Sequence, residues 1–466
     1  MIWRLLGTSM TPPEVVRADD ALRQLSHPFV AIGNPTNRVL EWRLLFPLLG
    51  HGLHIGESAY LALPAVGALA VLCIVIGVVR RNGMTWPRAT ACATLLATSD
   101  WYFVSTGWLG YFDSWYVAAL IVVVFARKHW VAMVAILLGT WIDERVVLTL
   151  PLCVFLRGVY LAEFGHGETL RIGQAASLFA PILPWLLIRI FLGITGNDDV
   201  PRSYLEELAN AHSVIQPSSY IVGAWEGARL GWLSVAALLV LVWRRNPWSA
   251  FGLFAILVCT VAANLGVAQD LSRSASVIAP AVLLGLLLFP SQIRYGGADP
   301  ILIVAAINIL LPAEHVIGQH RIPILCIQTE MSRINDPLAA FNPRFFEDQG
   351  AALAAGGQDK PALEMFNLAI RLDPGFAQAI SSRSLIEARL GELSPALVDA
   401  DRALLLQPKD PGLWLNRGEM KFMGKDFDGA ASDIVESIRL APPPWPRLRE
   451  AYAARSRAME LLVTLK

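Results

Sequence analysis

Charge is what this sequence has least of. Only 16% of its 466 residues are charged while 55% are hydrophobic, and the mean hydropathy is +0.49, well away from the balance of a soluble domain. An ordinary water-soluble fold is therefore excluded for most of the chain. Basic and acidic residues number 38 each, and without a basic excess nothing argues for nucleic acid as a partner. Cysteine is equally sparse: of Cys73, Cys92, Cys153, Cys259 and Cys326, the first four sit in apolar runs without metal-like spacing, which argues against a disulfide framework or zinc site. The start, MIWRLLGTSMTPPEVVRADD, has a basic residue but too short an apolar core for a signal peptide. No Walker loop, nucleophile elbow or HExxH occurs, which argues against cytosolic ATP chemistry.

What is present is a series of apolar runs. Crossing a bilayer takes about 20 apolar residues in a helix, and the candidates are 58–79, 88–107, 113–126, 174–195, 227–243, 248–266, 274–290 and 300–313. The run from Trp130 to Leu156 is different, because Asp143, Glu144 and Arg145 interrupt it, and each charge in hydrocarbon costs about 2.5–3.5 kcal/mol even on a lenient scale. Loop charges choose between one long helix and two short ones. Short cytoplasmic loops collect Lys and Arg, and Arg80-Arg81, Arg127-Lys128, Arg157 with Arg171, Arg244-Arg245 and Arg294 all fall on one face only if 130–142 and 146–156 form a hairpin. The expectation is thus an all-α polytopic bundle of about ten helices, with the Asp-Glu-Arg turn at the non-cytoplasmic end. The same parity puts residues 1–57 and everything after 313 on that side, and an external start of this kind predicts a first membrane helix missing before Met1. The alanine-rich, lysine-poor composition points to a bacterial inner membrane.

After a linker expected at 314–342, acidic residues become denser and the sequence repeats. Pro374, Pro408 and Pro442 are 34 residues apart, as are Ala362, Ala396 and Ala430, while Gly350, Ser384 and Gly418 share a third register. Small residues at fixed helix contacts and a Pro ending each second helix are the tetratricopeptide (TPR) pattern. The resemblance covers 343–442, with Phe346, Trp414 and Phe366 at its aromatic positions and with repeat two departing at Ile380 and Ser384. Residues 445–466 read as the capping helix that a solenoid requires. Such repeats imply a protein or peptide partner; the plainer reading is that they brace the membrane part.

The polar residues of the membrane part gather, on this topology, on one face: Asp19 and Asp20, Arg38 and Arg43, Asp113 in GYFDSW, the Asp143-Glu144-Arg145 turn, and Asp270 with Arg273 in QDLSRS. Carboxylates can deprotonate an acceptor or hold a divalent cation, and arginine can fork onto phosphate. Each has a plainer reading. Asp270 and Arg273 could be a local ion pair, Glu144-Arg145 a helix cap, Asp113 an N-cap, and Asp100 a buried, partnered aspartate. His51 and His54 lack a third metal ligand nearby.

With NRVLEWRLLFPLL, GYFDSW, WIDERVVLTLP and QDLSRS at the outer ends of its helices, the span 15–313 loosely resembles the GT-C-type polytopic glycosyltransferases. The resemblance implies a hexosyltransferase taking a sugar from a polyprenyl-phosphate donor in the bilayer. It maps a catalytic or metal-binding carboxylate onto Asp19 or Asp20, with Asp143 and Glu144 as further acid/base or metal candidates. It maps lipid-phosphate binding onto Arg38, Arg145 and Arg273, with Asp270 beside them. The cofactor stays unknown, a divalent cation such as Mg or Mn being the candidate. Two rivals stand beside this: a non-enzymatic TPR scaffold for envelope assembly, and a transporter. Labelling single cysteines placed at 144, 245 and 420 tests the topology; 144 and 420 are expected to react from one face and 245 from the other, and opposite faces for 144 and 420 would refute it.

Overall fold

The computed structural model describes residues 12–30, 41–107, 110–165, 169–194, 215–267, 270–289, 299–317, 320–325, 343–442 and 445–464. Two compact units divide the chain, Met1–Ala340 and Phe341–Lys466.

In the first unit the helices are α1 (Pro12–Ser26), α2 (Leu45–Gly52), α3 (Glu57–Arg81), α4 (Trp86–Ala97), α5 (Asp100–Gly107), α6 (Asp113–Phe125), α7 (His129–Ile142), α8 (Arg145–Phe164), α9 (Ile172–Ser177) and α10 (Leu183–Ile194). They continue as α11 (Pro217–Glu226), α12 (Gly231–Arg245), α13 (Pro247–Gly266), α14 (Leu271–Ala275), α15 (Ala279–Leu288) and α16 (Pro300–Leu310). An antiparallel hairpin follows, β1 (Ala313–Ile317) with β2 (His320–Leu325). Five helical stretches are long and apolar enough to cross a membrane, Glu57–Arg81, Arg145–Phe164, Ile172–Phe191, Pro247–Gly266 and Leu271–Leu288, and α11 with α12 makes a sixth bent by 82°. Helices α6, α7 and α16 are apolar but shorter.

The run around Asp143 breaks into two helices, α7 ending at Ile142 and α8 starting at Arg145. Asp143 leaves the helix with extended backbone (φ −160°), and its carboxylate accepts the Arg145 N–H at 3.0 Å, so Asp143 rather than Glu144 caps α8. Helix α8 outruns the expected 146–156 and reaches Phe164, carrying Arg157 into the core. Arg157 is therefore not a loop charge. Its guanidinium donates to Val123 O at 2.9 Å and Ala126 O at 2.7 Å, satisfying the last carbonyls of α6. Arg229, with φ +50° at the bend between α11 and α12, does the same for α4 and α16 through Thr98 O and Pro312 O, at 3.1 and 3.0 Å. The expected single run 88–107 also breaks, at Thr98-Ser99. There the Thr98 hydroxyl donates back to Leu95 O at 2.8 Å and accepts from Asn308 Nδ2 at 2.6 Å. Asp100 consequently begins a helix instead of lying in mid-span.

The second unit is three helix pairs and a cap: α17 (Pro343–Ala355) with α18 (Asp359–Leu372), α19 (Ala377–Arg389) with α20 (Leu393–Leu406), α21 (Pro411–Met423) with α22 (Phe427–Leu440), then α23 (Leu448–Thr464). Every helix start and end recurs after 34 residues. Gly350 is required because a Cβ there would lie 2.6 Å from the Phe366 ring. Repeat two tolerates Ser384 in that register because the position equivalent to Phe366 is the small, buried Ala400. An ionic fork recurs with the same period: Arg383 grips Asp399 at 2.6 and 2.9 Å and reaches Asn367 at 2.8 Å, and Arg417 grips Asp433 at 2.7 and 2.8 Å and reaches Asp401 at 2.7 Å. Each arginine thus ties its own repeat together and holds it to the one before. Gly350→Ala is expected to cost about 1–3 kcal/mol by overpacking, whereas Ser384→Ala, losing one bond to Ser381 O, costs about 1 kcal/mol or less; denaturant unfolding of the repeat unit measures both.

Candidate functional site

One end of the first unit is held by a continuous ladder of charges. It starts at Glu144, whose carboxylate accepts from Arg43 at 2.8 Å. Arg43 also faces Asp143 at 3.1 Å, and Asp143 pairs with Arg145 at 2.6 Å. Arg145 donates to Asp113 at 2.7 Å, and the other oxygen of Asp113 accepts from Arg273 at 2.8 Å. Arg273 pairs with Asp270, which faces His315 Nε2 at 3.3 Å, and His315 Nδ1 lies 2.9 Å from Asp100.

Local structure explains each position. Asp143 sits at the break of α7 and α8, and Asp113 opens α6 as its first residue without capping it, so its carboxylate is left for the two arginines. Asp270 caps α14, accepting from the Arg273 N–H at 3.4 Å, so the local pair and the wider network are one structure. His315 belongs to β1, inside the stretch expected to be linker. It is fully buried, and Ser272 Oγ stands 3.1 Å from its Nδ1 while accepting the Val316 N–H at 2.9 Å.

Burial raises the acids; at Asp143 and Asp270 the neighbouring cations outweigh it, whereas Asp100, which no arginine faces in the ladder, is raised by its burial. Asp143 is held well below the usual carboxylate range by Arg145 and Arg43, and Asp270 by Arg273 and His315. His315, which burial alone would lower, is pushed up to about 10 by the carboxylates of Asp100 and Asp270. Asp100, Asp270 and His315 are residue types that bind metals, with ligand atoms within 4.8 Å of one another. The ring hydrogen-bonds Asp100 through Nδ1 and brings Nε2 to 3.3 Å from Asp270.

Aromatic faces back the arginines. Tyr111 lies between Arg17 and Arg273, each 4.7 Å from its ring centre, and Arg145 lies 4.4 Å over Tyr116. A recess beside the ladder is lined by Arg17, Gln24, Arg43, Tyr60, Phe112 and Asp143.

Of the sequence candidates, Asp143, Glu144, Arg145, Asp270 and Arg273 therefore meet in one network. Asp20 is buried on α1 and is partnered. The Asp19 side chain and Arg38 lie outside the described residues. Sequence reasoning passed over His315, Ser272 and Arg17, and treated Asp100 as an ordinary buried aspartate. His51 Nδ1 lies 3.1 Å from Leu25 O.

No protein-family model and no curated protein matches the chain. Solved structures do: the first TPR of Spaghetti (RPAP3) bound to an HSP90 peptide is 18% identical, with 26% of this chain covering 94% of that one at a TM-score of 0.24. An Arabidopsis OM64 TPR domain is 23% identical over 25% and 94% of the two chains, TM-score 0.24, and the Sgt2 TPR domain of Aspergillus fumigatus 18% over 26% and 78%, TM-score 0.24. The second unit is TPR-like by its own period and paired helices.

Removing one member of a buried ion pair strands the other, at about 3–5 kcal/mol, while a partly exposed pair is worth about 1 kcal/mol or less. Asp113→Asn is therefore expected to destabilise the first unit severely and Glu144→Gln, at the 24%-exposed end, only slightly; thermal unfolding of the purified full chain ranks the two.

Proposed function

We propose that the chain is an integral membrane protein that acts on an anionic, lipid-linked substrate beside the charge ladder, as a GT-C-type transferase moving a sugar from polyprenyl phosphate, and that its repeats hold a protein partner. The observation that carries this is the convergence of four guanidiniums, Arg17, Arg43, Arg145 and Arg273, from four separate segments onto one end of an apolar bundle. The bundle's outer surface supports the membrane setting: Leu187 and Phe191 are 63% and 65% exposed, and Trp86, Trp130, Trp243 and Trp248, each at least 58% exposed, stand near the basic loop clusters, as interfacial aromatics do.

The geometry redistributes the roles. Asp143, locked between Arg43 and Arg145 and held strongly acidic, is a poor base and instead positions the arginines. Glu144, partly exposed and held by Arg43, is the carboxylate able to meet an acceptor hydroxyl. Arg17 and Arg43 line the recess and would hold the lipid phosphate, with Arg273 behind Tyr111 adding charge. A second reading, the membrane scaffold, is favoured by one specific observation: Arg43, Arg145 and Arg273 are each already held by two carboxylates, which suits a purely structural network.

The two part under substitution. Glu144→Gln and Arg43→Gln are expected to abolish transfer, seen as lost or truncated envelope glycans, while the protein stays in the membrane at normal levels. Unchanged glycans in both variants, with a defect only when 343–466 is deleted, would leave the scaffold.

A further inference from the structure

The ladder alternates, and it ends on an acid at both sides. Five carboxylates (Glu144, Asp143, Asp113, Asp270, Asp100) share three guanidiniums (Arg43, Arg145, Arg273), and among the described residues His315 also stands between two of the acids. Without a charge on His315 the Asp100 end would hold two buried carboxylates against Arg273 alone.

We propose that His315 is a positioning residue for the anion site: bonded to Asp100 through Nδ1 and standing with Nε2 3.3 Å from Asp270, it divides the charge of Asp270 and leaves Arg273 free to act on a bound phosphate. This rests on the anion-binding reading of the same site. Arg273 donates through Nε to Asp270 and through Nη1 to Asp113, and among the described residues no hydrogen bond uses its Nη2. The side chain keeps 11% exposure and lies, like Arg17, 4.7 Å from the centre of the Tyr111 ring. How strongly that arginine attracts an anion depends on how completely its two carboxylates neutralise it. Among the described residues Asp113 is shared with Arg145 and Asp270 with His315. Coulomb interactions at these separations are large in a buried setting, so a neutral residue at 315 would return the whole charge of Asp270 to Arg273.

The position of His315 is itself built. Three groups fix the ring: Asp100 at the α4–α5 break, Ser272 on α14, whose hydroxyl also takes the Val316 N–H, and the isolated bridge between Asp270 and Ile317. Glu226 and Tyr220 belong to α11, which packs against β1. The hairpin after the last apolar helix thus belongs to the site.

The test uses the purified full chain in lipid nanodiscs and a polyprenyl monophosphate as probe. The double variant Asp100→Asn/His315→Gln removes the imidazolium without stranding Asp100, and is expected to weaken binding about tenfold, or about 1.4 kcal/mol; Arg273→Gln serves as the reference loss. In the wild-type protein, nitrogen NMR of labelled histidine is expected to show both His315 ring nitrogens protonated at neutral pH, a signature that a packing role would not require. Wild-type affinity in the double variant with loss in Arg273→Gln would overturn the role of His315 and leave the anion site standing. Wild-type affinity in both would overturn the anion site itself. An unprotonated ring nitrogen, or a stoichiometric metal on the protein, would overturn the imidazolium whether or not the double variant folds.

Discussion

The first unit depends on a single shared carboxylate. Asp113 gives one oxygen to Arg145 and the other to Arg273, and so joins the break between α7 and α8 to the start of α14. Isolated, any of these charges would be intolerable in a bundle this apolar; paired in series, each desolvation cost is offset by two neighbours. The series also explains why the elements at this end are short and broken. Asp143, Asp100 and Asp270 stand at helix breaks or starts, where extended backbone and unsatisfied N–H groups bring a carboxylate inward and hold it.

Other helix ends follow the same economy in another form. Arg157 and Arg229 are buried without belonging to it, and each spends its guanidinium on carbonyls that end a helix. Where water is scarce, a terminal carbonyl needs a protein donor, and arginine offers several from one side chain. Acids at helix starts and arginines at helix ends are then two answers to one constraint, the polar ends of helices inside an apolar bundle.

Much of this was legible in the sequence, for a physical reason that also sets the limit. The break at Asp143-Glu144 could be read because three charges cannot stay in mid-helix, and loop-charge parity gave the same answer. Parity was less clean than it seemed: Arg157 counted as a loop charge but lies in α8, where the residues that accept its bonds are some 31 to 34 positions away. The repeats were legible because their contacts are local and periodic. Even their arginine forks could have been found, since Arg383 and Arg417 each precede an aspartate by 16 residues and stand 34 apart. His315 could not be read this way. Its partners lie 215 and 45 residues away, and its own stretch, AEHVI, has only the alternation of a short strand as a signal.

That contrast bears on what the ladder is for. Helix-end capping needs one arginine per end, and the end of the bundle that holds Arg157 manages with that. The other end instead assembles four arginines, two tyrosines against their faces and a histidine brought back by a hairpin. Replacing buried ion pairs by apolar side chains commonly costs nothing or adds stability, so stability alone gives no reason to keep so many. A network that keeps its arginines in place before a ligand arrives does give one, because guanidiniums already fixed and desolvated lose little freedom when an anion binds. The carboxylates that seem to occupy those arginines are, on this view, what holds them ready.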